Sequence, residues 1–175
     1  MTALPDLGSP NPGGEALAAE LRWVHDMLRK DLGTIRQMAA DAEGGMPGGR
    51  IAAGVRKLAL SSPLWQLTVN CMHYCRVVHT HHTLESVALF PELRRSNPAL
   101  GPVVDKLEAD HVRVSGLLDD VEAAAQELAS DEDTPARARL VESLRTLSDQ
   151  LLAHLAYEEE QISPTLRTWT GWPGW

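Results

Sequence analysis

Four long segments in which apolar residues recur every three to four positions constrain the fold of this chain more than any other feature. The recurring positions of the first segment are Leu17, Leu21, Val24, Leu28, Leu32, Ile35 and Met38. This spacing puts the apolar side chains on one face of an amphipathic helix. No segment alternates polar and apolar residues as a half-buried strand does, so the sequence predicts an all-α fold.

A serine or threonine followed by proline marks the start of two of these helices. Ser62 and Thr134 can each cap a helix, and the proline that follows each one suits the first turn. A glycine-rich stretch at residues 43–49 ends the first helix. The helices expected from these signals are residues 14–42, 63–93, 102–128 and 135–162, with an extra short helical segment at about 50–60.

Long helices with short connections favour an antiparallel up-down four-helix bundle. The chain of 175 residues is long enough to bury one core of this kind. We expect a disordered leader at residues 1–13, which are rich in proline and glycine, and the bundle at residues 14–164. Residues 165–175 are expected to form a tryptophan-rich C-terminal tail, which could fold over a site at that end of the bundle, form a partner surface, or be an adhesive tail that is only partly ordered.

Charge and composition argue against several classes of protein. A formal net charge of -8 argues against nucleic acid or an anionic membrane surface as the main partner. No apolar run approaches the roughly 20 residues that a membrane-spanning helix needs. Cys71 and Cys75 lack the spacing of a redox pair, and two lone thiols do not suggest a disulfide scaffold. A reducing, cytoplasmic location is therefore expected.

Four histidines and two glutamates fall at the same depth in the expected bundle. With a rise of about 1.5 Å per residue, all of them lie between about 6 and 18 Å from one end. Two pairs are spaced i, i+4, and each of the six shares a helix face with apolar residues. Hydrogen-bonded core histidines are the alternative for each one singly, but the joint arrangement favours a metal site. The six are His25, His81, Glu85, His111, His154 and Glu158.

The types of ligand indicate which metal such a site would hold. Six nitrogen and oxygen ligands exceed what one tetrahedral zinc ion needs, and no thiolate joins them. Calcium and magnesium prefer oxygen, so four imidazoles argue against both. Imidazole with carboxylate suits iron, and Glu85 and Glu158 could each bridge two ions. The sequence therefore predicts two iron ions, joined further by an oxide or hydroxide bridge.

At these residues the chain resembles the hemerythrin family, the HHE cation-binding domain. The matching positions are His25, the pair His81 and His82 with Glu85, then Leu89, Phe90, Pro91 and Leu93, followed by His111, His154 and Glu158. The resemblance covers about residues 20–162. It implies a four-helix bundle with a non-haem di-iron centre that binds O2 or related small molecules.

The chain departs from the oxygen-carrying members of that family in two ways. They have a second histidine one turn after the histidine of the third helix, where this chain has Ser115. Their last carboxylate is an aspartate five residues after its histidine, whereas Glu158 follows by four. His82 is a candidate additional ligand, and Tyr74 is either a residue near the metals or a core tyrosine bonded to a backbone carbonyl. His73 and His79 are expected to be peripheral.

One imidazole fewer would leave an open position on iron, which favours redox chemistry or sensing over simple oxygen carriage. We therefore expect a protein that binds or turns over O2, H2O2 or NO, with peroxidase-like, catalase-like or NO-oxidising activity if it is an enzyme. The alternative is a non-catalytic iron or oxygen sensor, or a module that donates iron. The sequence indicates no oligomeric state.

Overall fold

The structure, a computed structural model, describes residues 12–44, 63–130 and 134–172. The expected leader lies outside these residues except for its last two positions, and so does the expected helical segment at 50–60. The described elements are α1 (Pro12–Glu43), α2 (Pro63–Leu84), a π-helical turn (Glu85–Leu89), α3 (Phe90–Ser96), a 3-10 turn (Pro98–Leu100), α4 (Gly101–Ser130) and α5 (Thr134–Leu166). No strand occurs among them.

These elements form the four-helix bundle that the sequence predicts. We call the run from α2 through the π-helical turn to α3 the second bundle helix, because the backbone stays right-handed helical at both junctions. In sequence order around the bundle, α1 packs against the second bundle helix, which packs against α4, and α4 packs against α5, which returns to α1. Contacts such as Glu127 with Arg139 and Glu15 with Arg167 show that neighbouring helices are antiparallel.

The buried apolar side chains divide into two clusters, one on each side of the layer that contains the histidines. In α1, Leu28 belongs to the larger cluster and Leu21 to the smaller, and His25 lies between them. In α5, Leu155 and Ile162 are divided in the same way. The polar layer therefore crosses the core of the bundle and has apolar packing above and below it.

The helix ends differ from the expected ones by up to four residues. α1 begins at Pro12, and the second bundle helix contains a π-helical turn and reaches Ser96. α5 continues through Pro164 to Leu166, four residues beyond the expected end at residue 162. A proline near the end of a helix removes one backbone hydrogen bond. The burial of Leu166 in the smaller apolar cluster offsets that loss.

Within the described ranges, none of the helices combines the length and the apolar character that crossing a bilayer requires.

Candidate metal centre

The structure brings all six predicted site residues together in the polar layer, and adds His82 to them. α1 supplies His25, the second bundle helix supplies His81, His82 and Glu85, and α4 supplies His111. The remaining two, His154 and Glu158, come from α5. All of them are buried except His81, which is half-buried. Side chains from all four bundle helices thus converge at one level.

The first group of side chains consists of His25, His81, Glu85 and Glu158. The Nε2 atoms of His25 and His81 face each other at 3.1 Å. His25 Nε2 lies 3.5 Å from Glu158 Oε2, and His81 Nε2 lies 3.1 Å from Glu85 Oε1. One nitrogen or oxygen atom from each of the four lies within 4.8 Å of all the others, which is close enough for a single ion to bind them all.

The second group consists of His82, Glu85, His111 and His154, again with one atom from each within 4.8 Å of the others. The rings of His82 and His111 are stacked with their centroids 4.0 Å apart. The ring of His154 is edge-on to that of His111 at 4.8 Å. His111 Nε2 lies 3.3 Å from Glu85 Oε2. This group offers three imidazoles to one carboxylate.

Glu85 belongs to both groups, and its two oxygens face different ways. Oε1 is near the imidazoles of the first group, and Oε2 is near His111 of the second. Glu85 is the first residue of the π-helical turn, and its carbonyl accepts a hydrogen bond from the N–H of Phe90, five residues on. A carboxylate placed in this way can bridge two ions, one in each group.

Most of the polar atoms that face the middle of this layer have no hydrogen-bond partner in the structure. They are Nε2 of His82, His111 and His154, Nδ1 of His154, and both carboxylate oxygens of Glu85 and Glu158. Buried polar atoms in proteins are normally paired, because an unpaired one costs about 1–3 kcal/mol. Cations in the two groups would satisfy most of these atoms together. The donor set of imidazole nitrogens and carboxylate oxygens fits iron.

The electrostatic setting keeps the imidazoles neutral. Burial lowers the pKa of His82, and it lowers the pKa of each of the other four as well. For His25, nearby Arg29 adds to the effect of burial. A neutral imidazole has a free nitrogen lone pair, which is the form that binds a metal. The lowered pKa values are about 3 for His25, His81 and His111 and about 4 for His154.

The two carboxyl groups are perturbed in the opposite direction. Burial and the neighbouring Glu158 charge raise the pKa of Glu85 well above its ordinary value. Burial and the charge of Glu159 raise the pKa of Glu158 to about 8. Two like charges in a buried layer repel each other, and a nearby cation would relieve this repulsion. The carboxylates and the imidazoles therefore both suit a bound cation.

Two residues that the sequence analysis did not identify contact the Nδ1 atoms of site imidazoles, on the side of each ring that faces away from the centre. The Nδ1–H of His25 donates to Glu159 Oε1 at 2.8 Å, and Arg29 holds that same oxygen at 2.8 Å. Ser86 Oγ lies 3.0 Å from Nδ1 of His111. Each contact directs the Nε2 atom of the ring toward the centre. Both residues are adjacent in sequence to a predicted ligand, about 100° round the helix, so a one-face pattern does not reveal them.

The other candidates from the sequence lie outside the two groups. The hydroxyl of Tyr74 donates to the Leu28 carbonyl at 3.1 Å, so Tyr74 is the core tyrosine of the two alternatives. His73 is exposed, and His79 is half-buried with its Nε2 3.7 Å from Asp119. Ser115 lines a surface groove together with His82 and His111. His82 thus lies where it can supply the imidazole that Ser115 does not.

The tail turns back over the end of the bundle where the polar layer lies. The indole N–H of Trp169 donates to Ser96 Oγ at 3.2 Å, and that of Trp172 donates to Glu20 Oε2 at 2.8 Å. Both rings pack against the smaller apolar cluster. The described part of the tail therefore lies over the site end of the bundle.

A model of the hemerythrin HHE cation binding domain matches residues 21–166, which is most of the chain. No curated protein and no solved structure matched the chain.

Proposed function

The chain belongs to the hemerythrin family, and on that basis we propose that it holds two iron ions and binds or turns over O2, H2O2 or NO. The observation that carries this proposal is the position of Glu85, which offers one oxygen to each of two four-residue groups. A single carboxylate shared by two such groups is the arrangement that a bridged pair of ions requires. We also propose a cytoplasmic location, which suits the two buried free thiols of Cys71 and Cys75.

The residues of the chain divide the work of holding such a pair. The imidazoles donate neutral nitrogen atoms, and Glu85 and Glu158 supply negative charge that compensates the cations. Glu159 keeps the proton of His25 on Nδ1, so that Nε2 faces the centre. The apolar clusters above and below the layer help to bury both carboxylates, which strengthens their attraction for a cation.

The number of ligands leaves room for a small molecule. Five imidazoles and two carboxylates would fill fewer than the roughly twelve positions of two six-coordinate ions, even if both carboxylates offered an oxygen to each ion. Iron supplies redox chemistry and open coordination positions for molecules such as O2, peroxide or NO. Ser86 and Glu159 each contact the nitrogen of an imidazole that faces away from the centre, so we assign them an orienting role and assign any turnover to the iron.

The proposal predicts about two iron atoms per chain, with the charge-transfer absorption of an oxo-bridged pair. The measurement is metal analysis and an absorption spectrum of protein purified from iron-replete cells, followed by addition of peroxide and of NO. Protein that contains almost no iron and takes up none on reconstitution would refute the proposal. Iron that binds without any turnover of peroxide or NO would favour the sensor or iron-donor alternative.

A further inference from the structure

A half-open cleft of about 150 Å³ lies between α1 and the second bundle helix. Its walls are apolar and come from Leu21 and Val24 on one side and Ala88 and Leu89 on the other. At its inner end it reaches His81 and Glu85, the two members of the first group that belong to the second bundle helix. The cleft is therefore an apolar passage between the surface and that group.

The roof of the cleft is Trp172, which belongs to the tail and not to the bundle. Its hydrogen bond to Glu20 spans the mouth from the tail to α1. Two further contacts hold the start of the tail on α1: Arg167 pairs with Glu15 at 3.2 Å, and the Arg167 backbone lies against Gly14. A Cβ atom at Gly14 would lie 2.1 Å from the Arg167 carbonyl oxygen, so only glycine permits this approach.

We propose that the cleft under Trp172 is an entry and holding site for a small uncharged molecule on its way to His81 and Glu85. This proposal deepens the proposed function, since it names the path and the class of ligand for the same centre. The molecule is of the size and polarity of a dissolved gas.

Size and polarity select this class of ligand. An apolar protein cavity of about 150 Å³ can stay dry and bind xenon or benzene-sized guests. A charged molecule would lose its hydration among Leu21, Val24 and Leu89 without finding a partner on those walls. Trp172 covers part of the mouth with a large ring, which is held by the hydrogen bond to Glu20 and by packing against the smaller apolar cluster.

The groove on the opposite side of the second bundle helix differs from the cleft. It lies between that helix and α4, reaches His82 and His111, and has a volume of about 540 Å³. Its lining includes His79, Ser86 and Asp119 beside Val87 and Val112, and it is wider and more open to solvent than the cleft. Ala88 lines the cleft, and its exposed neighbour Val87 lines the groove. The two residues allow the two routes to be blocked separately.

The test uses xenon, which binds apolar cavities whether or not iron is present. Crystals of the full chain under xenon pressure should show xenon between Leu21 and Ala88. The Ala88→Phe variant should lose it, because the larger side chain fills the cleft, and the Val87→Phe variant should keep it. Absence of xenon from the wild-type cleft, or its retention in Ala88→Phe, would overturn the proposal.

Association of NO with iron-loaded protein tests the same cleft as an entry route. Trp172→Ala should accelerate association several-fold and Ala88→Phe should slow it about tenfold, with Val87→Phe within about twofold of wild type. Equal rates in all four proteins would overturn the entry role. Iron analysis and reconstitution of each sample separate this result from the proposed function: xenon in the cleft of a protein that takes up no iron on reconstitution supports the cleft and refutes the iron centre.

Discussion

At the scale of single residues, His82 and Glu85 determine how the buried groups are divided. Without His82, the second group would contain two imidazoles, and the position one turn after His111 is Ser115, which offers none. His82 lies about 100° round the helix from His81, so that neighbouring residues face different groups. Two consecutive histidines thus serve two different ions in the proposed centre.

The His82→Ala variant should lower the iron content from about two atoms per chain toward one, because only the second group loses a ligand. Changes behind a ligand already weaken metal binding by about 10–100-fold, so removal of a direct ligand should exceed that. Iron titration followed by metal analysis measures the effect. His73→Ala is the matched control, since His73 is exposed and lies outside both groups. Equal iron loss in the two variants would contradict the assignment of His82.

The sequence alone identifies residues that lie on the same face of a helix, because their spacing is regular. The i, i+4 pairs His81 with Glu85 and His154 with Glu158 are visible in the sequence, and the structure brings both pairs into the layer. Glu159 was not predicted because it lies off that face and contacts His25 only after α1 and α5 pack together. Contacts between residues that are distant in sequence depend on helix packing, which a pattern within one helix does not contain.

At the scale of the helix, the π-helical turn places Glu85 and Leu93 on nearly the same side of the second bundle helix. Eight positions separate Glu85 from Leu93, and at about 100° per residue a regular α-helix would turn them about 80° apart. The π-helical turn accommodates one extra residue, which reduces that difference to about 20° by the same spacing. Both side chains can then be buried. Spacing of apolar residues predicted the helix but not this turn, since one extra residue barely changes the pattern.

Deletion of Val87 should therefore be tolerated, because it converts the π-helical turn to α-helix and leaves both flanking faces in place. Deletion of the equally exposed Val112 should abolish folding, because α4 is regular and every later side chain would rotate by about 100°. Val87 is 73% exposed and Val112 is 77% exposed, so burial does not distinguish them. Circular dichroism and thermal melting of both variants give the comparison. Unfolding of both would show that the turn has no such tolerance.

At the scale of the whole molecule, the polar layer makes stability depend on pH when metal is absent. The folded pKa values of His25, His81, His111 and His154, about 3 to 4, lie below the ordinary 6.5, and that of His82 is lowered as well. Below about pH 6.5 the histidines of the unfolded chain bind protons that those of the folded chain do not bind. The histidines therefore make the folded state less stable as the pH decreases. The pKa of Glu158 is raised from 4.5 to about 8, so above pH 4.5 the unfolded chain loses protons first and stability falls as pH rises.

The metal-free protein should accordingly have its highest melting temperature near pH 6.5. Below that pH the destabilising effect of the five histidines exceeds the opposite effect of the two carboxyl groups, and above it only the carboxyl groups destabilise the folded state. Bound iron should remove the decline between pH 6.5 and 8, since cations stabilise the ionised carboxylates. Melting curves at pH 5, 6.5 and 8, with iron and with chelator, test both statements. A metal-free melting temperature that does not change with pH would contradict them.

The bundle as a whole was predictable from the sequence, and its described tail was only partly so. Four periodic segments and their proline caps specify the helices, because each signal is local. The contact of Gly14 with Arg167 joins two segments more than 150 residues apart, as does the pairing of Glu15 with Arg167. Whether a tail packs on its own bundle depends on that distant surface, so the sequence left the arrangement of the tail open.

All four bundle helices contribute side chains to the polar layer, and this has a consequence for the stability of the fold. Ions held there would act as cross-links between distant parts of the chain, as disulfides do in other proteins. His25 and Glu158, two members of the first group, are 133 positions apart. Closing a loop of that length in the unfolded chain is worth about 5 kcal/mol in entropy. The two thiols of this chain are free. The bound ions would therefore form the reversible cross-link of this chain, and the fraction of protein that holds them would determine how rigid the bundle is.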